Sequence, residues 1–129
     1  MKDSIAPEVD EVARQIVDSA FQVHKKLGPG LLESVYERCL CHELTKRNLV
    51  YESQKNLPIA YDDLKIESGL RLDLLVTDSI IVELKAIESL LPIHEAQLLT
   101  YLKLSSKRLG FLINFNVPLI KDGIRRIAL

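Results

Sequence analysis

At 129 residues, with 47% hydrophobic and 27% charged side chains, the chain has the size and composition of a soluble globular domain that buries its own core without staples. A formal net charge of −1 gives no global pull toward nucleic acid or anionic membrane, and no apolar run approaches the roughly 18 residues that span a bilayer. The opening MKDSIAPEVDEV lacks the apolar stretch of a signal peptide, so the expectation is a cytoplasmic protein with no membrane partner.

From Glu8 to Leu27, apolar residues at Val9, Val12, Ile16, Ala20, Val23 and Leu27 recur at helical spacing. Lys25 and Lys26 suit the negative end of that helix, and Gly28-Pro29 stops it. A second helix is expected from Gly30 to about Arg47, with Leu32, Tyr36, Leu40 and Leu44 as its stripe. Cys39 and Cys41 lie two apart on it and point to different faces, which disfavours a mutual disulfide. With His42 they form a CxCH zinc half-site, but no second ligand pair follows, and thiols buried or half-buried in the core are the simpler account.

The period changes at Val50. Val50 to Tyr61 reads as a strand, followed by a polar turn at Asp62-Asp63. Ile66 to Val76 and Ile80 to Ala86 are the next strands, joined by Thr77, Asp78 and Ser79. Pro92 precedes a helix from His94 to about Ser105; Arg108 to Phe115 is a short apolar strand, and Pro118 to Ala128 adds a last strand or a strand and turn. The fold class is therefore α/β, an α+β mixed sheet flanked by helices in the order α-α-β-β-β-α-β-(β), with residues 1–129 as one domain.

Three charges interrupt the apolar strands: Asp73, Glu83 and Lys85. Glu83 and Lys85 are two apart and share a face. A two-residue turn at Asp78-Ser79 pairs residues whose numbers sum to 157 and puts Asp73 on the other face. A three-residue turn, Thr77 to Ser79, makes the sum 156 and sets Asp73 across from Glu83. A bulge would have the same effect. Two carboxylates opposed in a largely apolar sheet destabilise it. Solvent, ion pairing with Arg71 and Lys85, or a divalent cation would each relieve that cost, and the spacing alone does not choose among them.

This strand-turn-strand with an acid on the first strand and E-x-K on the second resembles the PD-(D/E)XK nuclease superfamily. Gly30-Leu31-Leu32-Glu33-Ser34-Val35-Tyr36 fits the signature of the GxxExxY protein family within it, and LGPGLLESVYE, RLDLLV, VELKA, AQLLTYLK and GFLINF are similar to that family in order. The resemblance runs from about Val12 to Arg126. The chain has Arg71-Leu72 before Asp73 where the superfamily's name would place a proline.

The resemblance implies a restriction-endonuclease-like core and metal-dependent phosphodiester cleavage. Asp73 and Glu83 would bind Mg2+ or Mn2+, with the Leu84 carbonyl as a further ligand and Glu33 completing the shell. Lys85 would orient the attacking water or stabilise developing charge. Gln97, on the helix after E-x-K, would fix Lys85 or contact phosphate, and Tyr101, one turn on, shares its side. The implied partner is nucleic acid, DNA in preference to RNA, with homo-oligomerisation left open. Two alternatives stay open: a non-catalytic binding or assembly module of the same fold, and a structural domain whose charges form an ion-pair network.

Without the resemblance, Glu33 is a favourable first-turn acid, Tyr36 a core residue, Gln97 a surface residue and His24 a helix-end cation. Asn114 and Phe115 read as the end of a strand. Lys103, Lys107, Arg108, Lys121, Arg125 and Arg126 are either a basic rim or scattered surface charge, and the 5% aromatic content offers little platform for base stacking.

Overall fold

The computed structural model describes residues 4–129; the first three residues of the segment read for a leader lie outside that range. Two helices come first, α1 (Pro7–Leu27) and α2 (Glu33–Lys46). Strands β1 (Tyr51–Tyr61), β2 (Leu64–Val76) and β3 (Ile80–Lys85) follow, then α3 (Pro92–Ser105), β4 (Leu109–Asn114), a short 3-10 turn (Ile120–Gly123) and β5 (Ile124–Ala128). The expected order holds, and the open choice at the C-terminus resolves as a turn followed by a strand. Helix α2 begins three residues later than expected, so Leu32 lies outside it and is 73% exposed instead of joining the stripe. Among the described residues, no helix is long and apolar enough to cross a membrane.

The five strands form one mixed sheet in the order β1-β2-β3-β4-β5. Only β3 and β4 run parallel, because α3 carries the chain back across one face between them. This is the helix-flanked mixed sheet of a restriction-endonuclease-like fold. Strands β3 and β4 sit centrally and are buried along nearly their whole length, which is why they read as continuous apolar runs. On one face Ile16, Ala20, Leu40 and Leu44 from α1 and α2 pack on Val76, Ile80, Val82 and Phe111. On the other, Leu98 and Leu102 from α3 pack on Leu75, Ile81 and Leu112.

Two details place the site. The turn at Thr77 to Ser79 has three residues, Thr77 and Asp78 adopt left-handed backbone (φ 49 and 55), and Val76 pairs with Ile80. The backbone ladder between β2 and β3 then stops at Leu74–Val82, so the two strands part beyond it. Meanwhile β2 bends: Leu72 packs on the α3 side and Leu74 on the α1/α2 side although they are two apart. Opposite the bend, Gln54 of β1 is also left-handed, at φ 55. Asp73 lies at the bend, where the fork opens.

Candidate active site

The register with sum 156 puts Asp73 and Glu83 at the first position beyond the last backbone pair, where their side chains take over the ladder's hydrogen bonds. The Asp73 N–H donates to Glu83 Oε2 at 2.9 Å, and the Leu84 N–H donates to Asp73 Oδ2 at 2.9 Å. Each carboxylate is thus fixed by the opposite strand's backbone. Lys85 is one strand step on, on the same face.

A cleft of about 510 Å3 opens at this fork, lined by Glu33, Asp73, Glu83, Lys85, Gln97 and Tyr101 together with the outer part of the β1–β2 hairpin. The structure therefore brings Glu33, Asp73, Glu83, Lys85 and Gln97 together, with Tyr101 beside them. Glu33 comes from the α1/α2 layer and meets the cleft where the ladder has ended; Gln97 and Tyr101 come from α3.

The stretch Gly30–Tyr36 explains how Glu33 is delivered. Gly30 has φ 97, a conformation open to glycine and costly for other residues, and it turns the chain into α2. The buried Tyr36 stacks on Phe115 with ring centroids 4.6 Å apart. Its hydroxyl accepts from the Leu31 N–H at 3.1 Å and donates to the Gly28 carbonyl at 2.7 Å. The loop before α2 is pinned from inside, so Glu33 enters at the first helical position with little freedom.

The electrostatics are uncompensated. Burial, then the charge of Asp73, pushes the Glu83 carboxyl up to about 8, against the Asp73 N–H and Lys85, which favour its charged form. Asp73 is raised above the usual carboxylate range, first by burial, with the Leu84 N–H opposing and Glu37 adding to the rise. Glu33 is raised by burial and then by Asp73, and the Tyr101 phenol by burial and then by Glu83 and Asp73. Among the described residues, no cationic group lies within 4.0 Å of Asp73 or Glu83, and neither Arg71 nor Lys85 has a carboxylate at that distance. The ion-pair network is not formed.

The donors are all hard oxygens, which suits Mg2+ or Mn2+. Among the described residues, no three His, Cys, Asp or Glu side chains converge into a metal cage of their own. Mg2+ sites are commonly completed by water and substrate phosphate around one or two carboxylates, so two opposed acids are a fitting donor set. Strand alternation adds a third oxygen. The Lys85 carbonyl accepts from Phe115 on the β4 side, so the Leu84 carbonyl, like its N–H, turns toward the fork.

Other residues fall elsewhere. His24 Nε2–H donates to the Val117 carbonyl at 2.7 Å, tying α1 to the C-terminal loop away from the cleft. Asn114 ties the end of β4 to the segment after β3 by accepting from the Ile87 N–H and donating to its carbonyl, and it closes a turn by accepting from the Asn116 N–H. Cys39 and Cys41 are half-buried thiols. Among the described residues, none of the six cations considered for a basic rim lines the cleft: Lys107 pairs with Asp78, Arg126 with Asp10, Arg108 and Arg125 donate to backbone carbonyls, and Lys103 and Lys121 lie elsewhere on the surface. Residues the sequence reading missed are Glu37, which accepts from Ser53 and Gln54 beside the bend, and the hairpin's Asn56 and Ser68 in the cleft wall. Glu37 had a signal, one helical turn after Glu33; the others depend on long-range pairing.

A family profile described as the PD-(D/E)XK nuclease superfamily matches residues 10–127. No curated protein matches the chain.

Proposed function

We propose that this chain, which belongs to the PD-(D/E)XK nuclease superfamily, is a Mg2+- or Mn2+-dependent phosphodiesterase acting on nucleic acid, with DNA preferred over RNA. The observation that carries the reading is the pair of opposed, backbone-fixed carboxylates, Glu83 buried and Asp73 half-buried, with a lysine one step away that has no ion pair among the described residues. A structural sheet gains nothing from such a pair, since like charges facing each other oppose folding. The similarity of Gly30–Tyr36 to the GxxExxY proteins supports placing Glu33 in the same site.

In this reading Asp73, Glu83 and the Leu84 carbonyl hold the cation, and Glu33 closes the site from α2. When bound, the cation polarises the phosphate and acidifies water. The two backbone N–H donors keep both acids from rotating away, so the donor set is preorganised. Lys85 carries a positive charge on the same face, directed at the attacking water or at the phosphate oxygen that gains charge. Gln97 holds that lysine or the phosphate, and Tyr101 shields the same side.

A non-catalytic binding module of the same fold is the second reading, favoured by the net charge of −1 and by surface cations already engaged with acids. The test is cleavage of labelled DNA and RNA with Mg2+ or Mn2+ by the native chain, Lys85→Ala and Asp73→Ala. Cleavage by the native chain alone supports the catalytic reading. Cleavage unaffected by either substitution ends it, and absence of cleavage together with metal uptake favours the binding module.

A further inference from the structure

The cleft's third wall belongs to neither the carboxylates nor α3. It is the outer β1–β2 hairpin, and its shape is built into its sequence. Leu57 pairs with Leu70 but Ile59 pairs with Ile66, so Pro58 faces the three residues Glu67, Ser68 and Gly69. Proline has no N–H for a ladder at that point, and the extra residues bend β2. Gly69 is required there because a β-carbon would collide with the Ile59 side chain. The bend leaves Asn56, Ser68 and Arg71 lining the cleft, with Asn56 and Arg71 directly paired across the two strands.

Arg71 is two residues before Asp73, about 6–7 Å along a strand, the scale of one nucleotide step along a sugar–phosphate backbone. Several basic side chains elsewhere are engaged: Arg47 with Asp18 at 2.7 Å, Lys55 with Glu52 at 2.8 Å and Arg126 with Asp10 at 2.8 Å. Lys25, Arg38, Lys103 and Lys121 have no carboxylate within 4.0 Å among the described residues, but they lie outside this cleft. Among the described residues, Arg71 has no carboxylate within 4.0 Å, and it and Lys85 are the only basic residues lining the cleft. A guanidinium beside an amide and a hydroxyl is a donor set for phosphate oxygens. A duplex presents two charged backbones; two cations in a cleft of about 510 Å3 serve one.

We infer that the hairpin wall is a phosphate-binding track for a single, unpaired nucleic-acid strand, with Arg71 holding the phosphate next to the one that reacts and Asn56 supporting it. The inference rests on the phosphodiesterase reading for what happens at the fork, but the wall's binding role can be measured without cleavage.

The experiment uses the full chain, a short fluorescein-labelled single-stranded DNA and its blunt duplex, with anisotropy in EDTA across a salt series. The single strand should bind more tightly than the duplex, with a log–log salt slope of about −1.4 for two phosphate contacts. Arg71→Ala should weaken binding about 5- to 10-fold and reduce the slope by about 0.7, with Arg71→Lys recovering part of the affinity. Lys103→Ala, an exposed cation outside the cleft, should change neither. With Mn2+ present, Arg71→Ala should raise KM by a similar factor while lowering kcat less. Duplex bound as well as single strand, or an unchanged affinity and slope in Arg71→Ala, overturns the inference. Lys85-dependent cleavage that ignores Arg71 leaves the catalytic reading standing without the wall. Arg71-dependent binding in a chain that never cleaves leaves the wall standing without the catalysis.

Discussion

Glu43 and Glu83 are equally buried, 6% and 5% exposed, and the protein treats them in opposite ways. Around Glu43 the fold gathers its own cations: Lys46 at 3.2 Å, with Lys26 and Arg47 at 4.0 Å. Around Glu83 it places a second carboxylate and one backbone N–H donor, that of Asp73, and among the described residues no ion pair. A buried charge meant only for structure is neutralised from within. At the fork the fold supplies no such partner, and in the proposed function a bound cation takes that place. The same contrast runs along the seam between β2 and β3, which closes at one end with apolar pairs such as Val76–Ile80 and at the other is bridged by the Asp73 and Glu83 side chains.

The largest expected effect separates chemistry from packing at this fork. Lys85→Ala or Asp73→Ala should lower cleavage by about 10^2–10^3-fold or more while the protein stays folded. Leu74→Ala, one residue from Asp73 but fully buried, should cost about 2–5 kcal/mol in urea unfolding. If Lys85→Ala unfolds the protein as Leu74→Ala does, the fork is structural.

The two glutamates should next respond with opposite signs. Glu83→Gln keeps an acceptor for the Asp73 N–H and removes the repelling charge, so at pH 8 without metal it should raise stability by on the order of a few kcal/mol. Glu43→Gln strands its cations and should lower stability by about 1 kcal/mol. Thermal melts of both variants check this, and matching signs would break the comparison.

The pH dependence follows from the same shift. The Glu83 carboxyl, raised from 4.5 to about 8, holds more protons folded than unfolded between those values. The metal-free protein should therefore lose stability as pH rises from about 4.5 to about 8. Glu83→Gln should flatten that slope, and added Mn2+ should raise the melting temperature more at pH 8 than at pH 5. A smaller effect is expected at the α2 entry. Tyr36→Phe keeps the stack on Phe115 but loses two hydrogen bonds, costing about 1–2 kcal/mol. If the pin positions Glu33, Mn2+ affinity should fall as well; melting temperature falling alone would leave Tyr36 purely structural.

Much of this was legible in the sequence because periodicity is local. The helical stripe through Ile16 and Ala20 and the apolar runs at Ile80 and Leu109 dictate their elements, and parity arithmetic narrowed the Asp73–Glu83 question to the length of one turn. That turn could not be decided locally, because it depends on left-handed backbone at Thr77 and Asp78, neither of which is glycine or asparagine. Glu33 and Gln97 came from the resemblance alone, since nothing in their helices points to a cleft. Asn56, Ser68 and the bend at Gln54 stayed hidden because they depend on which β1 residue faces which β2 residue across a bulged hairpin.

The central claim is that Asp73 and Glu83 are held together for a divalent cation. Calorimetric titration of Mn2+ into the folded native chain and Glu83→Gln, near pH 7 in buffers of differing ionisation enthalpy, tests it most directly. The native chain should take up Mn2+ and release close to one proton as the Glu83 carboxyl ionises, and Glu83→Gln should bind far more weakly with no such release. A folded native chain that takes up no Mn2+, or takes it up equally well without Glu83, would contradict the account.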